Sequence, residues 1–302
     1  MTIGRQSDYM STNSPPKQTV LERLHKKSIS AKDIASQFWC EKQMELNYIH
    51  GVKFTAAMDK GMAIHQQMQD QVYRPLVVEA QTYPDRMYKT AYENILTLST
   101  LMERGIAREF KIYGALNGYC VVGQIDELRI DNGKVVIVEN KTTSDPSSFN
   151  PQFTKPHQVQ TMLYRKLLDD MRSGSYQYQN LDVYYKLSSM KISENFAAGL
   201  RTLGIKDEMM SVQSIYLSMF DKVKTMPELS NSLIIHYVSR NNSEQTSNLV
   251  FDYSRESLNA DISYAMKYWT AQREAQPVSQ EESWKCKYCR FFGNECKTWW
   301  KG

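Results

Sequence analysis

Residues 123–141 read Gly123-Gln-Ile-Asp126-Glu-Leu-Arg-Ile-Asp131-Asn-Gly133-Lys-Val-Val-Ile-Val-Glu139-Asn-Lys141, and the way this stretch folds decides the rest. Asn-Gly between two runs rich in β-formers predicts a hairpin with a two-residue type I′ loop, which pairs Asp131 with Lys134. Continued along the strands, that register sets Ile130 against Val135, Leu128 against Ile137 and Asp126 against Glu139. Alternation places these residues on one face with Lys141. Two acids and a lysine thus end an apolar stripe. Like charges directly opposite, with Cβ atoms about 4.5–5.5 Å apart, destabilise a sheet unless a cation lies between them. A divalent metal with oxygen ligands resolves the conflict, leaving the lysine to serve a water or a phosphate. A solvated ion-pair cluster competes with this reading, and a bulge would put the carboxylates on opposite faces. The four aliphatic residues of the stripe favour a buried face, on which carboxylates need a partner.

Outward from the hairpin, Phe110–Tyr113 and Tyr119–Ile130 read as strands joined at Leu116-Asn-Gly118, and Val135–Lys141 as the third. Pro156 is expected to open a helix to about Met171, with Asp182–Lys186 a fourth strand. The order β-β-β-α-β predicts an α/β core with a mixed sheet. Upstream, helices are expected from Ser30, with Asp33 completing a cap resembling a capping box, over about Ala56–Tyr73 and over Lys89–Arg104. Downstream, a polar, partly helical stretch from Ser188 to Asn231 precedes strands Leu233–Arg240 and Asn248–Tyr253 and a helix from Arg255 to about Glu274. One domain over about 21–302 is expected, with a core at about 107–187 and an insertion at 188–231, whose position suggests a cover over a substrate path. Residues 1–20 are polar, carry Pro15-Pro16 and read as a disordered lead; a mitochondrial presequence is a weaker alternative.

The 302 residues allow a sizeable core. With 41% hydrophobic and 23% charged residues the composition is that of a soluble globular protein. No apolar run approaches the ~20 residues that span a bilayer, so no membrane role is expected. A net charge of +4 permits a nucleic-acid partner without requiring one.

Cys286, Cys289 and Cys296 form C-x2-C-x6-C among aromatics that include Trp284, Phe291, Phe292, Trp299 and Trp300. Three thiolates leave a tetrahedral metal one ligand short, and Cys40 is the natural fourth; Cys120, in an apolar strand, reads as core. Disulfides are disfavoured without a secretion signal. Zinc and an iron–sulfur cluster remain, and the aromatic screen and the split of the ligands across the chain favour the cluster. Unrelated free thiols are the plain alternative.

The series Asp126, Glu139-x-Lys141 and Gln160-x3-Tyr164 resembles the RecB-like branch of the PD-(D/E)XK nuclease superfamily. With Cys40 upstream in Asp33-Ile-Ala-Ser-Gln-Phe-Trp-Cys40 and three C-terminal cysteines, the chain is similar to the branch's iron–sulfur members, in particular the exonuclease V family, over about Ser30 to Trp300. The resemblance implies a restriction-endonuclease-like core with a mixed sheet flanked by helices. It implies Mg²⁺ or Mn²⁺ on Asp126, Glu139, the carbonyl of Asn140 and His65 of Gly61-Met-Ala-Ile-His65. Lys141 would orient water or stabilise phosphate charge, with Gln160 and Tyr164, one helical turn apart, positioning DNA or the lysine. Taken alone, His65 could as well be structural and Tyr164 could simply pack on the sheet. Glu109 stands near where the family often has an acid. A [4Fe–4S] cluster on Cys40, Cys286, Cys289 and Cys296 is implied, with Zn²⁺ the alternative.

Lys285, Lys287, Arg290, Lys297 and Lys301 lie among aromatics in the tail, a combination suited to single-stranded DNA, although charge runs are usually solvated faces. Lys111, Lys155 and Lys186 are further candidates. The expected function is a metal-dependent exonuclease on single-stranded DNA ends, in repair or replication, by a monomer, with a single-strand DNA-binding protein as a candidate partner. The expected location is intracellular: the cytoplasm of a prokaryote, or the nucleus or mitochondrion of a eukaryote. The alternatives are a CRISPR-associated RecB-like nuclease in spacer processing and an inactive iron–sulfur or zinc DNA-binding module.

Overall fold

Two Asn-Gly turns organise the sheet. In the computed structural model, which describes residues 18–72, 75–147 and 151–297, Asn117 and Asn132 both have φ 49°, followed by Gly118 at 80° and Gly133 at 74°. Consecutive positive φ values are what a type I′ hairpin requires. The lead up to residue 17, Tyr73, Trp299, Trp300 and Lys301 lie outside the described residues.

In chain order the elements are α1 (Val20–Arg23), β1 (Ile29–Ser30), α2 (Ala31–His50), α3 (Ala56–Asp70), α4 (Tyr83–Arg104), β2 (Ile106–Leu116), β3 (Tyr119–Asp131) and β4 (Lys134–Thr143). There follow α5 (Pro151–Ser173), α6 (Tyr178–Tyr185), α7 (Glu194–Thr202), α8 (Val212–Lys224), β5 (Ser232–Ser239), β6 (Thr246–Asp252) and α9 (Arg255–Trp269).

β3 is antiparallel to β2 along nearly its whole length, from Ile106↔Arg129 to Leu116↔Tyr119. Its other edge is shared. β4 takes the far end, from Asp131↔Lys134 to Glu127↔Val138, and β1 pairs in parallel with Val121 and Val122. Beyond Val138, β4 parts from β3 and runs parallel to β5 as far as Thr143↔Ser239, with β6 antiparallel at the edge. The expected Asp126–Glu139 ladder pair is therefore absent: the strands separate one step earlier. The result is a mixed α/β sheet with a cleft between β3 and β4, flanked by α5 against β2, β4 and β5 and by α4 against β2 and α8.

Four further expectations need correction. Residues 182–185 are helical, despite the strand propensity of Val183-Tyr-Tyr185. Gln177 and Asn180 cap α6, Lys186 ends it with a left-handed φ of 58°, and Lys186 N–H donates to Asp182 O at 2.8 Å. Local capping outweighs β propensity here, so the fourth long strand is β5. Pro156 lies inside α5; Pro151 begins that helix, a position where a missing N–H costs nothing. The 188–231 stretch supplies core: α8 buries Ile215, Tyr216, Met219, Phe220 and Val223 against α4 and α5, so this helix is no detached cover. Ser30 does cap α2, but through Lys32 N; Asp33 instead engages Tyr48 and Lys26.

Candidate active site

Asp126 sits where β3 loses β4. Its Oδ2 accepts the backbone N–H of Asn140 at 2.9 Å, so the carboxylate occupies the place that a main-chain acceptor would have taken. Glu139 is completely buried, and its Oε1 accepts from Lys141 Nζ at 2.6 Å and from Gln160 Nε2 at 2.7 Å. Gln160 joins the group from α5: its Oε1 accepts from Lys141 at 3.1 Å, and its Nε2 also donates to the Tyr164 hydroxyl at 2.8 Å. The i, i+4 spacing on α5 lets the amide that holds the carboxylate also meet the phenol.

Two glycines allow the close approach. A Cβ on Gly123 would lie 2.7 Å from Tyr164 Cε1, so only glycine lets the ring rest on β3. A Cβ on Gly61 would lie 2.8 Å from Thr142 Oγ1, and its absence lets α3 close on β4. That contact carries His65 Nδ1 to 4.0 Å from Asp126 Oδ2. His157, three residues before Gln160 on α5, bonds to the Tyr237 hydroxyl on β5 through Nδ1 at 3.0 Å.

Glu109 lies within β2 rather than at its start. It takes φ 61° in the step between Arg108↔Glu127 and Phe110↔Ile125, opposite Asp126, and accepts from Gln124. A left-handed non-glycine residue inside a strand stores strain of the kind found at functional sites. No pattern in the sequence signals that turn of the backbone.

The charges are mutually costly. Burial, then the neighbouring Asp126, pushes the Glu139 carboxyl up to about 7, with Lys141 opposing in part. Burial alone would lower the Lys141 ammonium, but Glu139 and Asp126 outweigh it and the net direction is up. His65 is pulled down by burial against the pull of Asp126, and His157 is pushed down to about 3 by burial and Lys141. Burial, then Glu139 and Asp126, holds the Tyr164 phenol well above its usual range.

The donor chemistry fits a hard divalent cation. Glu139 Oε2 is buried with no hydrogen-bond partner, beside a second carboxylate, and buried anionic oxygens call for a positive charge. Among the described residues no three or more His, Cys, Asp or Glu side chains are drawn to metal-holding spacing.

The cysteines gather beside the middle of α2. Cys40, Cys286, Cys289 and Cys296 line one cavity with Trp39, Lys285 and Phe292. Cys40 breaks α2 with extended backbone (φ −164°, ψ 110°), which the helical sequence pattern did not foretell. Burial, then Cys40, Cys289 and Cys296, pushes the Cys286 thiol up to about 11. The four-sulfur donor set suits a soft metal or cluster. Glu41, next to the break, receives both Arg273 nitrogens (Nη2 at 2.8 Å) and Gln276 N–H at 2.8 Å. The basic tail divides. Lys285 is only 2% exposed, donates to Glu282 at 2.6 Å and lies over the Trp39 and Trp284 rings, so it packs the cysteine nest rather than offering a free cation to DNA. Arg290 is exposed but bonds Gly51 O and covers Phe291; Lys287 and Lys297 are exposed. Lys155 pairs with Asp261 at 2.6 Å.

Comparison with known proteins places these features. The family described as exonuclease V, a 5′ deoxyribonuclease, matches residues 19–134, 130–226 and 205–301. Exonuclease V of Danio rerio is 25% identical over 283 residues, covering 90% of this chain and 70% of that protein. A putative exonuclease from Eubacterium rectale aligns over 99% of this chain and 96% of its own, at 11% identity and a TM-score of 0.40, a likeness too distant to assign anything. No helix among the described residues is long and apolar enough to cross a membrane.

Proposed function

Because the chain belongs to the exonuclease V family, we propose that it is a divalent-metal-dependent deoxyribonuclease that hydrolyses single-stranded DNA from its ends, in repair or replication. The carrying observation is the buried Glu139 carboxylate, with one oxygen tied to Lys141 and Gln160 and the other without a partner beside Asp126. Asp126, Glu139, the Asn140 carbonyl and His65 would hold Mg²⁺ or Mn²⁺, which when bound supplies Lewis-acid polarisation of the phosphate and an acidified water.

The chain's own residues do the rest. Lys141 keeps its proton, fixed by Glu139 and Gln160, and stands ready for charge growing on a phosphate oxygen. Gln160 uses its whole amide to hold Lys141, Glu139 and Tyr164 in one arrangement, so it positions rather than reacts. Tyr164 stays protonated and walls the cleft against Gly123. His65, pulled towards neutrality by burial, retains a lone pair for a ligand. Cys40, Cys286, Cys289 and Cys296 would hold a [4Fe–4S] cluster, or zinc, tying α2 to the tail; their common cavity supports that reading. Lys287, Arg290 and Lys297 are the tail's remaining DNA-contact candidates.

The test is end-labelled single-stranded DNA with Mg²⁺, offered both linear and as a closed circle, with Asp126→Ala as control. Loss of the linear strand alone supports an exonuclease, and loss of both an endonuclease. Binding without cleavage in Mg²⁺ or Mn²⁺ would leave an inactive DNA-binding module.

A further inference from the structure

A cavity with a largely apolar wall and two lysines at its lining opens on the β1 side of the catalytic cleft. Its volume is about 340 Å³, within the range of small-molecule sites. Lys32 at the start of α2 and Lys111 on β2 line it, with Thr90, Gln124, Tyr113 and Tyr185. Lys32 is exposed and Lys111 half-buried, and among the described residues neither ammonium makes a hydrogen bond or ion pair. The carboxylates nearest to Lys111 in charge are engaged elsewhere: Glu109 accepts from Gln124, and Glu93 accepts Leu76 N–H at 3.2 Å and faces Lys89 at 3.9 Å. Two unneutralised cations thus share one concavity. The N-terminus of the α2 segment that precedes the break at Cys40, where Ser30 also lines the cavity, adds to the positive potential.

The cavity adjoins the proposed catalytic centre through Tyr164 and Gln124. Tyr164 lines it and bonds Gln160, while Gln124 precedes Asp126 by two residues on β3, about 7 Å along the strand and close to the reach of one nucleotide. The hydroxyls of Tyr113 and Tyr185 are already taken, by Tyr216 at 3.2 Å and Ser28 at 2.9 Å. Tyr113 is buried, while the half-buried Tyr185 offers ring surface rather than a polar tip, which suits a base.

We propose that this cavity seats the nucleotide adjacent to the scissile phosphate, with Lys32 and Lys111 holding a phosphate of the strand and the tyrosine-lined wall taking its base. The assignment rests on the nuclease reading of the Asp126 and Glu139 centre. It gives α2 and β2 a part in grip on the strand, apart from the basic tail.

The test uses the full chain, a fluorescein-labelled oligo-dT in EDTA, and a salt titration. Lys111→Gln and Lys32→Gln should each weaken binding about 5- to 20-fold and reduce the slope of log K against log salt by about 0.7, while Lys111→Arg restores both. Thr90→Trp keeps both charges but fills the cavity, and should weaken binding by a similar factor; with the exposed Lys32, it decides the matter if Lys111→Gln does not fold. Parental affinity and slope in the folded lysine variants, with parental affinity in Thr90→Trp, would overturn the assignment. If the parent binds DNA and cleaves none with Mg²⁺ or Mn²⁺, the nuclease reading fails, and a loss of binding in Lys32→Gln and Thr90→Trp still supports a nucleotide subsite.

Discussion

Asp126, Glu139 and Lys141 reach one another through a single hairpin, whereas Cys40 meets Cys286, Cys289 and Cys296 only because distant parts of the chain are brought together. The carboxylate centre is held by a backbone ladder on one side and by Gln160 on the other, so its shape is preorganised. The cysteine nest gathers thiols that burial and one another make harder to ionise. Its neighbourhood is nonetheless clamped by conventional contacts, with Arg273 and Gln276 on Glu41 and Lys42 N–H donating to Gln276 O at 3.0 Å. A site written in neighbouring strands should control chemistry with little effect on folding. One that joins remote segments should do the reverse.

The strongest break between the two is expected on cleavage. Asp126→Ala should lower single-turnover cleavage of labelled single-stranded DNA by on the order of 10³ or more, with a melting temperature within a few degrees of the parent. Cys286→Ser and Arg273→Ala should do the opposite. Arg273→Ala strands a buried carboxylate, which costs about 3 kcal/mol and should lower Tm by roughly 5–10 °C while the chemical step changes little. Parental melting in both variants would remove the structural role of this end of the molecule.

A smaller effect is expected in pH dependence. The Glu139 carboxyl rises from 4.5 to about 7, so between those values the folded protein retains a proton that the unfolded chain has released. The associated stability is complete below about pH 4.5 and is lost as pH rises through about 7, a few kcal/mol at most. His157, pushed down to about 3, acts in the other direction as pH falls below 6.5, but it is common to both proteins when the parent is compared with Glu139→Gln. Metal-free melting curves should therefore diverge across that window, with the parent losing stability relative to Glu139→Gln as pH rises. Parallel curves would contradict the burial of an ionisable Glu139. Smallest of all, Tyr164→Phe removes one neutral hydrogen bond to Gln160, worth about 1 kcal/mol, and should slow cleavage by roughly fivefold.

What could be read in advance follows the same division. Asn132-Gly133 fixed a register that holds from Asp131↔Lys134 to Glu127↔Val138, and alternation then put Glu139 and Lys141 together. The register could not reveal that the strands part before Asp126 meets Glu139, because that depends on β5 capturing β4 from elsewhere in the chain. Gln160 and Tyr164 were visible as an i, i+4 pair, but the closeness that makes Gly123 and Gly61 necessary is a packing fact. Tyr184 and Tyr185 have strand-forming side chains in a segment whose caps make it helical. Lys285 reads as a surface charge because a sequence gives no sign that its ammonium lies over two tryptophan rings. Cys40 was picked out by its residue type, while the break in α2 at the same position carried no sequence mark.

The central claim is that Asp126 and Glu139 share a divalent cation. Mn²⁺ titration of the purified protein at pH 8, followed by electron paramagnetic resonance, tests it without requiring turnover. The account predicts saturable binding in the parent, weakened at least tenfold in Asp126→Asn and in Glu139→Gln but retained in Cys286→Ser. Equal Mn²⁺ binding by the parent and both carboxylate variants would contradict it.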